Sequence, residues 1–97
     1  MAETRATRTV VVTDPSGVHA RTAVAISQVV RRGKSKVTLT KGQQPVSGTD
    51  VLQILTMVTH QGETVTLEAE GPDAEAVLDE LEPLFAGRFG EDTQKSA

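Results

Sequence analysis

The spacing of hydrophobic residues changes several times along the chain. Residues 9–13 are all Thr or Val, and residues 36–40 alternate polar and apolar side chains, which is typical of strands. Apolar residues then recur at helical spacing between Ala23 and Val30, and Gly33 offers a left-handed C-cap. The whole pattern predicts four strands, over residues 9–13, 36–40, 44–47 and 63–69. It also predicts three helices, the first over residues 20–32 and the second over residues 51–59. The third begins after an N-cap at Asp73 and should kink or end near residue 82 because of Pro83.

The order of these elements is β-α-β-β-α-β-α, without internal repeats or domain linkers. Strands with a single apolar face favour helices on that side only, so we predict an α+β fold, an open-faced sandwich with an antiparallel sheet. Residues 9–85 form the one predicted domain. Residues 1–8 are interpreted as a flexible lead-in, and residues 86–97 as a disordered tail.

Composition narrows the range of functions. The 97 residues include no cysteine, which excludes disulfides, thiolate metal sites and cysteine nucleophiles. The net charge of −3 argues against general nucleic-acid binding. No apolar run is long enough to cross a membrane, and no signal-peptide pattern occurs, so we expect a cytoplasmic location without membrane insertion. We expect neither a metal nor another cofactor.

The candidate chemistry lies where the first helix begins. The turn residues Asp14-Pro15-Ser16-Gly17 place His19 at or next to the N-cap, with Arg21 in the first helical turn. The first N–H groups of a helix and its dipole favour an anion at this end. A neutral imidazole can accept a phosphoryl group, which Arg21 and the amides of Ala20 and Arg21 would then hold. The alternative is that His19 is an ordinary polar residue before a helix.

The segment Gly17-Val18-His19-Ala20-Arg21-x-Ala23 resembles the active-site signature of the histidine-containing phosphocarrier (HPr) family of the phosphoenolpyruvate-dependent phosphotransferase system. The resemblance extends over residues 9–85. Its other matching features are Gly33, the short second helix, Gln61-Gly62-Glu63 and the junction Ala69-Glu70-Gly71-Pro72-Asp73.

The resemblance implies the strand order 1-4-2-3, with three helices on one face and the starts of the first two helices near each other. It implies that Nδ1 of His19 accepts a phosphoryl group from a donor of the enzyme I type and passes it to a sugar-specific or regulatory acceptor protein. Such a chain is a phosphocarrier and not an enzyme, and we expect a monomer. It further implies a partner-docking patch on the second helix, formed by Val51, Leu52 and Leu55, although these residues could simply belong to the core.

Two residues depart from the family pattern. Thr22 stands where proline is usual, so the helix start could be looser, or the hydroxyl could contact the phosphate. Asp50 stands where many members carry a regulatory serine, which predicts that this position is not phosphorylated. Labelling of Ser47 or Thr49 by the corresponding kinase would mean that this alignment is wrong.

Two other functions remain open. The first is a regulatory relative that uses the same phosphorylated histidine to control a kinase or a transcription regulator. The second is an interaction module of the same fold in which His19 is never phosphorylated. The other histidine, His60, follows the second helix and is interpreted as structural.

Overall fold

The computed structural model describes residues 4–89 of the chain. Its strands are β1 (Arg5–Val11), β2 (Lys36–Lys41), β3 (Gln44–Ser47) and β4 (Thr64–Glu70). Its helices are α1 (Ala20–Arg32), α2 (Val51–Thr56) and α3 (Ala74–Leu81), followed by a 3-10 helix, Glu82–Ala86. Within the described range, no helix has both the length and the apolar character needed to cross a membrane.

The strands form one antiparallel sheet in the order β1-β4-β2-β3. Alternate residues of each strand face the helices, so that Val10 pairs with Val65, and Leu67 with Leu39, in one buried layer. The helices cover this face and close the core around Ile26. The predicted α+β open-faced sandwich and its strand order are confirmed.

The first strand begins at Arg5, so the predicted flexible lead-in is wrong for residues 5–8. Ala6 faces the core and is 6% exposed. The Arg8 guanidinium pairs with the carboxylates of Glu75 and Asp79 on α3 and with that of Glu82 in the 3-10 helix. Residues 5–8 are mostly polar, and the sequence around them does not indicate a strand, because the residues that stabilise Arg8 lie far along the chain. Residues 1–3, which complete the predicted lead-in, lie outside the described residues.

Two helix ends differ from the prediction. The second helix stops at Thr56 and not at residue 59. Gly33 ends α1 in an extended conformation, with φ −86° and ψ −175°, and not in a left-handed one. Asp73 does occupy the N-cap position of α3, but its side chain makes no capping bond there. Its carboxylate instead accepts hydrogen bonds from the Lys34 N–H and the Ser35 hydroxyl, which ties α3 to the loop after α1.

The chain beyond α3 also departs from the prediction. The end of α3 itself agrees with the prediction of a kink or an end near residue 82, since α3 ends at Leu81 and the 3-10 helix that contains Pro83 follows. The predicted disordered tail began at Ala86, but the structure describes the chain as far as Phe89, whose side chain packs against the core. The remaining predicted tail, residues 90–97, lies outside the described residues.

Helices α1 and α2 are placed differently from the expectation that their starts are close. The Arg31 guanidinium, in the last turn of α1, donates to the carbonyl oxygen of Thr49, just before α2 (3.0 Å). The start of α1 lies instead beside the loop that follows α2, where the Val18 N–H donates to the Thr59 carbonyl oxygen (2.9 Å). The two helices therefore run in opposite directions along this contact.

Candidate functional site

A tight turn brings the chain to the start of α1. The N–H of Asp14 donates to the Phe85 carbonyl oxygen (3.1 Å). The N–H of Gly17 donates to the Asp14 carbonyl oxygen (2.8 Å). Gly17 has φ +69°, and a Cβ atom there would clash with the carbonyl oxygen of Thr59. Only glycine fits this position without strain. The turn therefore fixes the direction in which the chain enters α1.

His19 lies at the N-cap of α1 with extended backbone angles, φ −119° and ψ −172°. Its side chain is 34% exposed, so the imidazole is accessible from solvent. Ala23 is the first residue of α1 to close a helical hydrogen bond, to the His19 carbonyl oxygen (2.9 Å). The N–H groups ahead of it, beginning with that of Ala20, cannot bond within the helix. The ring is thus next to the positive end of the helix dipole.

Thr22 does not face the surface where a phosphate would bind. Its side chain is fully buried, and its hydroxyl oxygen accepts a hydrogen bond from the His19 N–H at 3.4 Å. The sequence offered two roles for Thr22, a looser helix start or a phosphate contact. The geometry instead gives the hydroxyl a place in anchoring the first turn.

Asp14 is a partner of His19 that the sequence analysis interpreted only as a turn residue. Its Oδ2 atom lies 3.4 Å from Nε2 of His19. Oδ1 accepts from the Ser16 N–H (2.9 Å), and the side chain is only 12% exposed. A Cβ atom at Gly87 would lie 2.9 Å from Oδ2, so the C-terminal segment closes against the carboxylate. The carboxylate is therefore held from several sides.

The orientation of this pair sets the roles of the two ring nitrogens. A carboxylate only accepts hydrogen bonds, so a contact between Asp14 and Nε2 requires a hydrogen on Nε2. In the neutral ring the lone pair is then on Nδ1. The 3.4 Å separation is long for a hydrogen bond.

Arg21 and Phe89 complete the surroundings of His19. The guanidinium carbon of Arg21 lies 4.6 Å from the centroid of the Phe89 ring, within cation–π range. The Phe89 ring is also edge-on to the imidazole, with centroids 6.0 Å apart and an interplanar angle of 67°. Phe89 was missed by the sequence analysis because it fell in the predicted tail. Its one sequence signal is that it is one of only two aromatic residues.

The family model described as the phosphorylation site of the phosphotransferase-system HPr component matches residues 6–87. The chain belongs to the HPr family. Members of this family are phosphocarriers of the phosphotransferase system. The match extends beyond the predicted domain, residues 9–85, at both ends. Its start at residue 6 agrees with the early start of β1. Phe89 lies beyond it.

Individual HPr relatives agree with this assignment. The phosphocarrier protein HPr of Cupriavidus necator is 33% identical over 75 residues, which cover 77% of this chain and 84% of that protein. The phosphocarrier protein NPr of Shewanella violacea is 32% identical over 88 residues, covering 91% and 97%. The crystal structure of HPr-C-His from Thermoanaerobacter tengcongensis has a TM-score of 0.79 at 29% identity, covering 89% of this chain and 97% of that one.

The HPr resemblance also suggested a docking patch on α2, and the three residues of this patch differ from one another in exposure. Leu52 is 74% exposed, whereas Val51 and Leu55 are half-buried and pack against the core. Asp50 is the N-cap of α2, and its carboxylate accepts the Gln53 N–H (3.1 Å). Because the start of α2 is beside the last turn of α1, Val51 and Leu52 are not adjacent to His19.

The loop after α2 packs against the segment that leads into α1 and is held in place by its own hydrogen bonds. The Lys41 ammonium donates to the Val58 carbonyl oxygen (2.6 Å) and pairs with the Glu63 carboxylate (3.0 Å). The same carboxylate accepts the N–H of His60 at 2.7 Å. That backbone bond, with help from Lys41, holds the pKa of Glu63 below its usual value. These contacts fix the loop whose Thr59 carbonyl receives the Val18 N–H.

Proposed function

We propose that this protein carries a phosphoryl group on His19, receiving it from a phosphoenolpyruvate-dependent donor of the enzyme I type and passing it to an acceptor protein. The observation that carries the proposal is the partly exposed imidazole at the start of α1, with Nε2 towards Asp14. In this role the protein is a substrate of other proteins and not an enzyme. It acts as a cytoplasmic monomer that presents one surface to successive partners.

The transfer step follows from the orientation of the ring. The Nδ1 lone pair of His19 forms a bond to phosphorus, while the bond from phosphorus to the donor breaks and its electron pair stays with the donor. The hydrogen on Nε2 remains in place, and the Asp14 carboxylate offsets the positive charge that develops on the ring. The reverse sequence delivers the phosphoryl group to the acceptor.

The phosphoryl group on Nδ1 carries negative charge, which two features would stabilise. The backbone N–H groups of Ala20 and Arg21 belong to the first turn of α1, where the helix dipole favours an anion. The Arg21 guanidinium supplies a planar cation that can bind two phosphate oxygens at once. Positioning and charge stabilisation are most of what phosphoryl transfer requires of a protein.

Partner proteins would approach along α1 and α2. The exposed Leu52 supplies an apolar contact, and the half-buried Val51 and Leu55 border it. On α1, Val24 is also exposed, at 43%, and lies beside Arg21. An exposed apolar residue surrounded by polar ones is typical of protein–protein contacts. Asp50 caps α2 with a permanent charge, so we propose that this position is not regulated by phosphorylation.

Incubation with phosphoenolpyruvate, Mg²⁺ and the donor enzyme tests the function. We expect a phosphoryl mass increase that is lost in acid and stable in alkali. The His19→Ala variant is expected to lose it because the acceptor nitrogen is gone. The matched control, His60→Ala, removes an exposed histidine in the loop after α2 and should be labelled like the wild type.

Two results would contradict the proposal. Labelling of His19→Ala would mean that another residue accepts the group. No labelling of the wild type by a donor that phosphorylates another HPr protein would favour the interaction module. The names of the two relatives, both phosphocarrier proteins, favour the carrier over that module.

A further inference from the structure

The C-terminal segment returns to the start of α1 after the 3-10 helix. Gly87 has φ +84°, and its N–H donates to the Leu84 carbonyl oxygen (3.1 Å). The Arg88 N–H then donates to the Pro83 carbonyl oxygen (3.1 Å). This left-handed turn redirects the chain so that the Phe89 side chain lies over the first turns of α1. Phe89 therefore reaches the site through a backbone path with defined hydrogen bonds.

The Phe89 ring borders a groove on the outer side of α1. The groove is lined by Ala20, Arg21, Val24, Ala25, Gln28 and Phe89. The ring also packs against the core, which restricts its own movement. The guanidinium carbon of Arg21 lies 4.6 Å from the ring centroid. A restrained aromatic face is thus beside the cation that the transfer requires.

Stacking on an aromatic face suits arginine in a specific way. The guanidinium is planar, and a ring against its face leaves the N–H groups in the plane available to phosphate oxygens. Arginine has many rotamers in solution, and fixing one of them costs conformational entropy. When the side chain is already ordered before the reaction, this cost no longer opposes binding of the phosphoryl group. An aromatic contact can therefore hold the cation in place before the phosphoryl group arrives.

We propose that Phe89 is a positioning residue of the phosphorylation site, acting on the phosphoryl group of His19 through Arg21. This inference rests on the proposed function of His19. Phe89 itself touches no reacting atom. The residue lies outside residues 6–87, the part of the chain that matches the family model, so the contact is an addition to the matched domain.

The variants Phe89→Leu and Phe89→Tyr separate the aromatic face from apolar bulk. Leu keeps most of the volume against the core but has no π face, whereas Tyr keeps the face. In the unphosphorylated protein we expect the Arg21 Hε resonance to be shifted by the ring current in the wild type and in Phe89→Tyr. We expect this shift to disappear in Phe89→Leu. The spectrum also reports whether each variant is folded.

Transfer kinetics from the phosphorylated donor give the functional readout. We expect Phe89→Leu to lower kcat about two- to fivefold with little change in KM, as fits the loss of one exposed cation–π contact. Phe89→Tyr should restore the rate. In an Arg21→Lys background, where the planar partner is gone, Phe89→Leu should have no further effect.

The possible failures can be told apart. A wild type that is never labelled on His19 contradicts the proposed function, whatever the Arg21 resonance shows. A labelled wild type whose Phe89→Leu variant transfers at the same rate contradicts only the role of Phe89. A change in KM with kcat unchanged, or an undiminished effect in the Arg21→Lys background, would mean that Phe89 contacts the partner and does not position Arg21.

Discussion

Val58 has a backbone conformation that β-branched residues rarely adopt. Its φ is +46°, and within residues 4–89 it is the one residue other than glycine with positive φ. The next residue, Thr59, is 3% exposed, and its hydroxyl has no hydrogen-bond partner among the described residues. Thr59 also accepts the N–H of Val18, next to His19. Local strain therefore lies in the loop that supports the candidate site.

The variant Val58→Gly should relieve this strain. We expect the free energy of unfolding to rise by roughly 0.5–1 kcal/mol, which is the left-handed penalty of a residue with a Cβ atom less the entropy that glycine adds. Val58 is 56% exposed, so little buried contact is lost. Urea unfolding would measure the change.

Val24→Gly is the matched control for that measurement. Val24 is also a partly exposed valine, at 43%, but it lies within α1 and its backbone is helical. Glycine inside a helix is unfavourable, so this variant should be less stable than the wild type. A loss of stability in both variants would contradict the strain at Val58.

At the scale of single residues, the sequence predicted the centre of the site but not its surroundings. His19 could be assigned to the N-cap because turn residues precede it and helical spacing follows. The contact with Asp14 could not be predicted, since it depends on the path of the turn between them. Thr22 was a candidate phosphate contact in the sequence, but its burial depends on packing that no local pattern reveals.

At the scale of elements, Asp73 joins α3 to the segment between α1 and β2. The Ser35 hydroxyl and the Lys34 N–H both donate to its carboxylate. These bonds, the Ser35 bond first, lower the pKa of Asp73 below its usual value. A carboxyl group with a lowered pKa in the folded state stabilises the protein above its unfolded pKa. That contribution disappears as the pH falls through the folded pKa.

We therefore expect Asp73→Asn to be less stable than the wild type at pH 7. The difference should narrow as the pH falls below about 4, the usual pKa of an aspartate, because the wild-type carboxyl group then also becomes neutral. Unfolding by urea at a series of pH values measures it. Glu80→Gln, which removes one charge from an exposed position of the same helix, is the control. A difference that does not change with pH would contradict the role of the charged carboxylate.

The limits of the elements show where local patterns are insufficient. The bounds of α1 and β3 were predicted correctly, because turn residues and periodicity agree there. The start of β1 was missed, since Arg8 is stabilised by carboxylates of α3 and the helix that follows it. The end of α2 was also missed, because the chain leaves the helix at Val58 through a conformation that valine does not favour.

At the scale of the whole molecule, the site is assembled from three distant parts of the chain. The turn before α1 supplies Asp14 and His19, and the loop after α2 supplies the Thr59 carbonyl. The C-terminal segment supplies Gly87, which lies against Asp14, and Phe89, which lies against Arg21. The sequence predicted the fold class and strand order, the latter through family resemblance. It could not predict this closure, because no periodic pattern indicates where a segment beyond the last helix will pack.

The central claim is that Asp14 holds the imidazole so that Nδ1 accepts the phosphoryl group. Its most direct test is NMR spectroscopy of the phosphorylated protein labelled with ¹⁵N in its histidines. We predict phosphorus–nitrogen coupling at Nδ1 of His19 and a hydrogen on Nε2, with the His60 ring unchanged. Phosphorus on Nε2 of His19, or on neither nitrogen of that ring, would contradict the account.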